Sequence, residues 1–229
     1  MKPILFNTEM VRAILEGRKT VTRRVVKIPQ GRTLVAPVGK DSAEFGAMCM
    51  SGAAGCVVKA PCQVNDVLYV RETWCKLGKL DEFEQPIDGT DEYYYRADGS
   101  NPTPYNYFII CGERRDNPKW YPSIHMPKEA ARIFLRVTDV RVERLQDITE
   151  AQAIKEGCKA GSFEFKGAVW GQDDTDEWTA IDDFSNVWQS TIKKDQLNTY
   201  GWRANPYVWV IEFERITREQ AEATTAAVP

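Results

Sequence analysis

A lysine and a threonine three residues apart form the pair in this sequence best suited to chemistry. Lys19 and Thr22 lie in the segment GRKTVTRR, just after a predicted helix end. A threonine hydroxyl becomes a strong nucleophile when a base removes its proton, and a lysine is that base when burial or nearby cations lower its pKa. Arg18, Arg23 and Arg24 are such cations. If the segment curves like a turn, both side chains point the same way and suit acyl transfer.

A complete acyl-transfer site also needs an acid that protonates the leaving nitrogen. A carboxylic acid in a partly apolar pocket suits this role, because such a pocket raises its pKa. The same basic segment also fits a solvated surface or an anion-binding surface, which are common uses of clustered cations. The spacing of the residues leaves these alternatives open.

Arg18, Arg23 and Arg24 are also candidates for contact with a nucleoside or RNA, and four further residues join them. Tyr69 and Arg71 share one face of a predicted strand, which suits base stacking and a phosphate contact, although half-exposed strands often carry mixed polar faces. Trp74 either packs in the core or flanks a bound base. His125, the single histidine, either lines the cleft or makes a structural hydrogen bond.

Local patterns predict three short helices. The first begins at Asn7 or Thr8 and stops at Gly17, the second begins with a capping box of Thr149 and Gln152, and the third begins at Thr179. The predicted helical ranges are 7–17, 149–157 and 179–193.

Alternating hydrophobic residues predict the strands that hold the helices. In VNDVLYVRETW, alternation places Leu68, Val70 and Trp74 on one face and Tyr69, Arg71 and Thr73 on the other. Glu72 falls on the apolar face and needs a partner such as an arginine if it is buried. The remaining predicted strands span residues 93–96, 133–145 and 206–216.

The element order predicts an α+β protein, a small mixed β-barrel with short peripheral helices. We expect one domain over residues 1–216, with insertions at about 28–62 and 76–120 and a flexible C-terminal tail at 217–229. Within the first insertion, residues 39–56 are rich in Gly, Ala and Ser without a clear period, which predicts irregular structure.

Composition excludes several classes of protein. A single histidine makes a histidine-rich metal site implausible, and the six scattered cysteines indicate reduced thiols in the cytoplasm. The 229 residues contain no apolar run of about 20 residues and no phosphate-binding Gly-rich loop. The net charge of -3 averages seven basic and no acidic residues at 17–40 with six acids at 173–183.

Four motifs together resemble the ASCH domain family of the PUA-like superfamily. They are GRKTVTRR after a short helix, VNDVLYVRETW, ITEAQAIKEG and the closing NPYVWVIEFERI. In addition, VRETW, PSIHMPKEAARIFLRVTDVRVERLQDIT and NPYVWVIEF are similar to the larger ASCH-type proteins of phages and prophages, a group without a settled activity. This narrower resemblance covers nearly the whole chain.

The resemblance implies a PUA-like β-barrel whose cleft accepts a nucleoside or an RNA base. Small bacterial members are amidohydrolases that remove acetyl from N(4)-acetylcytidine, using a lysine, a threonine and a glutamate. Their G-x-K-T-x-T motif is matched here by Gly17, Lys19, Thr20 and Thr22, and their glutamate by Glu156. The resemblance therefore implies Lys19 as proton acceptor, Thr22 as nucleophile and Glu156 as proton donor.

Other activities fit the same resemblance. The small enzymes are about half as long as this chain, and the insertions could narrow, cover or repurpose the cleft. A non-catalytic reader of RNA or modified bases, an RNA-cleaving protein and a phage protein that binds a host or virion protein are the alternatives. We expect a nucleoside or RNA partner, no membrane, no metal, no cofactor and, for a phage-encoded protein, the host cytoplasm.

Overall fold

The computed structural model describes most of the chain in two compact units. The first comprises Met1–Glu16, Val67–Leu135 and Arg215–Pro229, and the second comprises Gly17–Asp66 and Arg136–Glu214. The described residues are 1–28, 32–37, 44–49, 56–79, 81, 83, 87–99, 106–110, 113–115, 120–160 and 178–226.

These residues form strands, α-helices and several short 3-10 turns, so the mixed α+β class is as predicted. The strands are β1 (Lys2–Leu5), β2 (Val21–Val25), β3 (Arg32–Pro37), β4 (Glu44–Cys49), β5 (Cys56–Lys59), β6 (Val67–Arg71), β7 (Trp74–Lys79), β8 (Glu92–Tyr95), β9 (Asn106–Ile110), β10 (Glu113–Arg115), β11 (Phe134–Arg144) and β12 (Tyr207–Ile216). The helices are α1 (Thr8–Leu15), α2 (Glu150–Lys155), α3 (Ala180–Thr191), α4 (Leu197–Tyr200) and α5 (Arg218–Ala226).

The largest sheet has five strands in the order β1-β6-β11-β12-β2. β1 runs parallel to β6, with Ile4 opposite Val70, and β2 runs antiparallel to β12, with Thr22 opposite Ile211. β2 is therefore an edge strand of this sheet. Among the strands that the structure describes, no sheet closes into a barrel.

The first unit adds a four-stranded sheet in the order β10-β9-β7-β8 within the region predicted as the second insertion. Its core packs Val67 and Tyr69 of β6 against Met126 and Phe134, and Trp74 packs on the same cluster. The prediction that Trp74 shares a face with Leu68 and Val70 was therefore wrong. The strand breaks between Arg71 and Trp74, and this break changes the alternation of side chains.

Glu72, directly after the end of β6, is buried and paired. Glu72 is 1% exposed and accepts two hydrogen bonds from Arg132, at 2.9 Å from Nε and 3.0 Å from Nη2. Arg132 also bonds Asp98 and lies over the ring of Tyr95 at 3.9 Å. The arginine partner that the sequence requires for a buried Glu72 is thus present.

The second unit adds a three-stranded sheet in the order β3-β4-β5. The prediction of irregular structure at residues 39–56 was wrong where β4 forms, because paired backbones build a ladder even in a sequence of low strand propensity. The core of this unit packs β2 and β12 against α2 and α3. Its buried members include Val21, Ala153, Phe184, Trp188 and Val210.

Helix boundaries follow their capping residues. The Asn7 side chain accepts from Met10 N at the start of α1, and capping boxes at Thr149 and Thr179 begin α2 and α3, as predicted. The Glu150 carboxylate of α2 in turn accepts from the first backbone N–H groups of α3. Within the range predicted as a flexible tail, the chain forms α5, and Ala221 is fully buried in the first-unit core.

Candidate functional site

The segment Arg18–Thr20 caps the C-terminus of α2. The last carbonyl groups of a helix have no partner inside the helix, and the negative end of the helix dipole favours a cation there. Here three consecutive residues donate to three consecutive carbonyls in reverse order. The hydrogen bonds are Arg18 Nη1 to Gly157 O at 2.6 Å, Lys19 Nζ to Glu156 O at 2.8 Å and Thr20 N to Lys155 O at 2.9 Å.

Lys19 is the most buried cation of the segment, at 2% exposure. Its Nζ donates to Glu156 Oε2 at 2.6 Å, to Glu156 O at 2.8 Å and to Val21 O at 2.8 Å. An ammonium group has three N–H donors, so these acceptors suit the charged form. Burial lowers the pKa of the Lys19 ammonium group, while the charge and hydrogen bond of Glu156 act in the opposite direction.

Glu156 is held from its second oxygen by Arg23. Arg23 Nη1 donates to Glu156 Oε1 at 3.2 Å, and Arg23 Nη2 donates to Glu143 Oε2 at 3.2 Å and Gln152 Oε1 at 3.1 Å. Glu143 continues the series by accepting from Arg141 Nε at 2.6 Å. A chain of alternating charges therefore runs from Lys19 to β11 within the second unit.

The placement of Glu156 follows from the packing of α2. The capping box fixes the start of this helix, and Ala153 packs in the second-unit core. Glu156 is the C-cap, and Gly157 then reverses the chain with a φ of 96°. Glycine adopts such a positive φ without the steric cost that a side chain brings. The helix therefore presents its final carboxylate and carbonyl to Lys19.

Thr22 lies in strand β2 and not in a turn, and no hydrogen bond among the described residues joins its hydroxyl to Lys19 or Glu156. The carbonyl that accepts from Lys19 Nζ belongs to the peptide bond joining Val21 to Thr22. Val21 packs in the second-unit core, and the Arg23 guanidinium lies over the Phe184 ring. Strand alternation places the Thr22 side chain on the opposite face of β2 from these two residues. Thr22 is 1% exposed, so the hydroxyl is well shielded from bulk water.

The basic stretch is mostly engaged within the protein. In residues 17–28, the described part of this stretch, Lys27 alone is a largely exposed cation. Arg18 binds a carbonyl and Arg23 binds carboxylates, as described above. Burial lowers the pKa of Arg24, against the opposing charge of Glu156. These cations form ion pairs and helix caps more than an open phosphate-binding surface.

The other four predicted binding residues belong to the first unit. Tyr69 is buried in its core, and the Arg71 guanidinium lies 6.0 Å from the Tyr69 ring centroid. Arg71 Nη1 donates to Ile124 O at 3.2 Å. The Trp74 ring stacks on Tyr121 at 5.1 Å, and His125 is exposed in a 3-10 turn. The predicted binding residues are therefore divided: Arg18, Arg23 and Arg24 belong to the second unit, and these four belong to the first.

Two residues of the site around Lys19, Gln152 and Glu143, were not predicted from the sequence. Gln152 is recognisable as a capping-box residue, but its bond to Arg23 depends on tertiary packing. Glu143 lies on β11 and carries no local signal of its role. Arg23, predicted to contact a ligand, is 3% exposed and instead positions Glu156.

In the described part of the chain, no group of three His, Cys, Asp or Glu residues is arranged to hold a metal ion. Cys62, Cys75 and Cys158 are buried free thiols, and the side chains of the other cysteines lie outside the described residues. Burial raises the pKa of Cys75 to about 11 and that of Cys158 to about 12.

Comparisons with known proteins return no relative. No family model matches the chain, and no curated protein or solved structure matches it. Across the described residues, no helix is both long and apolar enough to cross a membrane.

Proposed function

We propose that this chain is an ASCH-type protein of PUA-like fold that hydrolyses an amide on a modified pyrimidine nucleoside such as N(4)-acetylcytidine. One observation carries the proposal. Lys19 and Glu156 are 137 residues apart in sequence, yet Nζ and Oε2 meet at 2.6 Å in a buried position beside the peptide bond of Thr22. These are the three residues to which the family resemblance assigns base, acid and nucleophile.

The ion pair supplies both protonation states that the reaction needs. Transfer of one proton from Lys19 Nζ to Glu156 Oε2 gives a neutral amine and a neutral carboxylic acid without changing the charge of the pair. Burial acts against the charged pair, because low polarity penalises separate charges, and the neutral form is the one that reacts. The amine then acts as proton acceptor, and the acid acts as proton donor.

The first half of the reaction transfers the acetyl group to Thr22. The Thr22 Oγ1 proton passes to Lys19 as Oγ1 bonds to the acyl carbon. The carbon–nitrogen bond breaks as Glu156 protonates the departing amino group of cytidine. Lys19 is then an ammonium ion, Glu156 is a carboxylate and Thr22 carries an acetyl ester.

The second half regenerates the site. Glu156 takes a proton from water while the water oxygen bonds to the acyl carbon, and the ester bond to Thr22 breaks. Lys19 returns a proton to Oγ1, so the pair recovers its neutral form and acetic acid leaves. Because Thr22 is 1% exposed, the side chains around β2 must move for the substrate to reach it. The Thr22 side chain must also turn toward Lys19, since strand alternation places it on the face of β2 opposite Arg23, which binds Glu156.

Release of cytidine from N(4)-acetylcytidine, followed by chromatography, tests this function. We expect turnover by the wild-type protein and a loss of about 100-fold or more in Thr22→Val, which lacks the nucleophile. Thr138→Val is the matched control, because Thr138 is an exposed threonine on strand β11. It should retain wild-type turnover.

Two results would contradict the proposal in different ways. A folded wild-type protein that releases no cytidine would exclude this substrate, whereas activity in Thr22→Val would exclude the nucleophile. RNA binding that weakens steeply with salt, without cytidine release, would instead support a non-catalytic reader. The engagement of Arg18, Lys19 and Arg23 inside the protein favours the amide chemistry over that reader.

A further inference from the structure

The junction between β6 and β7 in the first unit contains two shielded N–H groups without acceptors. Arg71 Nε and Trp74 Nε1 have almost no exposure to solvent, and no described residue accepts a hydrogen bond from either atom. Buried donors in folded proteins almost always have an acceptor. Two exceptions within four residues of the chain indicate a missing group that supplies acceptor atoms.

Arg71 also lacks a counter-charge among the described residues. Its one hydrogen bond there is from Nη1 to the carbonyl of Ile124, at 3.2 Å, and a carbonyl carries no net charge. By contrast, the nearby Arg132 bonds the carboxylates of Glu72 and Asp98. A partly buried guanidinium without a carboxylate is best satisfied by an anion.

Aromatic rings pack on Trp74, and the indole N–H at its edge is left without an acceptor among the described residues. Its ring stacks on Tyr121 at 5.1 Å with planes 26° apart, and Tyr93 packs on it at 5.6 Å in a tilted arrangement. Stacking of a base on Trp74 is therefore less suitable than donation from the indole N–H. The residue contributes a fixed hydrogen-bond donor.

One short segment contacts both residues, though not through Arg71 Nε or Trp74 Nε1. Tyr121 exchanges backbone hydrogen bonds with Trp74, and Ile124 accepts from Arg71. Met126, at the far end of the segment, is fully buried in the first-unit core, whereas Ile124 is 59% exposed. The 3-10 turn Ser123–His125 is thus exposed at Ile124 and anchored on either side by Tyr121 and Met126.

We propose that the first unit binds an anionic group with two acceptor oxygens, a phosphate or a carboxylate, through Arg71 Nε and Trp74 Nε1. The anion replaces the Ile124 carbonyl on Arg71 as the turn Ser123–His125 moves outward. This site lies wholly within the first unit and does not depend on the amide chemistry proposed for Lys19, Thr22 and Glu156.

The indole signal of Trp74 in a ¹H–¹⁵N spectrum gives a direct test, and Trp74→Phe assigns it. Inorganic phosphate and acetate are titrated separately at constant ionic strength. We expect the Trp74 indole signal to move saturably with at least one of them. Arg71→Lys keeps the charge but removes Nε–H, and should weaken the apparent affinity about tenfold or more.

Lys27→Gln is the matched control for charge, because Lys27 is exposed and belongs to the second unit. It should leave the titration unchanged. Movement with phosphate alone assigns a phosphate site, and movement with acetate alone assigns a carboxylate site. An indole signal that moves with neither anion, or that titrates equally well in Arg71→Lys, overturns the proposal.

A stability comparison tests the unpaired indole independently. Trp188 Nε1 donates to Tyr200 O at 2.8 Å, so Trp188→Phe loses a hydrogen bond as well as ring volume. Trp74→Phe loses the same volume without losing a protein hydrogen bond, and should unfold at a higher urea concentration than Trp188→Phe. Equal destabilisation would mean that the Trp74 N–H has a protein acceptor in solution.

Discussion

Lys19 shows how a single cation can be structural and chemical at once. Its ammonium group closes the C-terminus of α2, bonds the backbone of an edge strand and pairs with a carboxylate. Any substitution removes all three interactions together. Loss of activity in a Lys19 variant therefore has to be separated from loss of stability.

Removal of the Lys19 charge should destabilise the protein strongly. We expect Lys19→Met to lower the free energy of unfolding by about 3–5 kcal/mol, because Glu156 loses a buried partner and two carbonyls lose a donor. Lys155→Met is the control, since Lys155 is exposed in the last turn of α2, and should change stability by less than about 0.5 kcal/mol. Urea unfolding followed by circular dichroism measures both.

The double variant Lys19→Met/Glu156→Gln completes the cycle. Once the lysine is absent, neutralising Glu156 costs less, so the double variant should be more stable than the sum of the single changes by about 1–3 kcal/mol. Strict additivity would show that the pair is not coupled in solution.

The partners of Arg23 could not be predicted from the sequence. The proposed resemblance to the ASCH family associates Lys19 with Glu156, but the local sequence gives Arg23 no partner. Its carboxylates, Glu143 and Glu156, follow it by 120 and 133 residues. A basic stretch therefore looks like an exposed basic surface in the sequence when the acidic residues that pair with it are distant. Packing then brings these acidic residues to it.

At the scale of elements, α2 connects a local signal to a distant site. Gln152 Oε1 accepts from Thr149 N at 3.0 Å within the capping box, and the same oxygen accepts from Arg23 at 3.1 Å. The start of the helix thus helps to hold the arginine that positions Glu156.

Loss of the α2 cap should weaken both the helix and the site. We expect Thr149→Ala to lower the free energy of unfolding by about 1 kcal/mol, because Gln152 N loses its acceptor. Thr149→Ser retains a hydroxyl and should stay within about 0.5 kcal/mol of wild type. Chemical unfolding of both variants measures the two free energies. Equal stability of Thr149→Ala and Thr149→Ser would show that the hydroxyl contributes little.

The helices and strands that could be predicted well are those whose own residues carry a recognisable pattern. Capping boxes give the starts of α2 and α3, and sustained alternation gives β11 and β12. The break between β6 and β7 has no such signal, because alternation continues through VRETW. At this break Glu72 pairs with Arg132, which lies 60 residues later in the chain and could not be read from the local sequence. Strand β4 likewise depends on its neighbours rather than on its own composition.

At the scale of the whole molecule, the net charge of -3 says little about the location of charge. Much of the described basic stretch is matched by acids from β11 and α2. The sequence could predict the mixed α+β class from its elements. It could not predict the sharing of the described residues between two compact units, because both units are assembled from separated segments.

Buried thiols should make the protein less stable in alkali. The pKa values of Cys75 and Cys158 rise from 9.0 to about 11 and about 12, chiefly through burial. Between pH 9 and these values the folded state retains protons that the unfolded state releases, so stability falls as pH rises. Each thiol contributes up to about 1.4 kcal/mol per pH unit in this window.

Urea unfolding at pH 8, 9 and 10 measures this effect. Stability should decline less steeply in Cys158→Ala than in wild type, whatever the difference between the two proteins at pH 8. Parallel declines would show that the Cys158 thiol is not the group responsible.

The reverse-order caps between residues 18–20 and 155–157 have a consequence for biosynthesis. The ribosome releases Lys19 long before Glu156, 137 residues later, has been made. At about 5–20 residues per second, this delay is roughly 7–27 s. During that time the lysine has no Glu156 to meet, and water must solvate its charge. The candidate site therefore forms only after Glu156 has been made, 137 residues after Lys19.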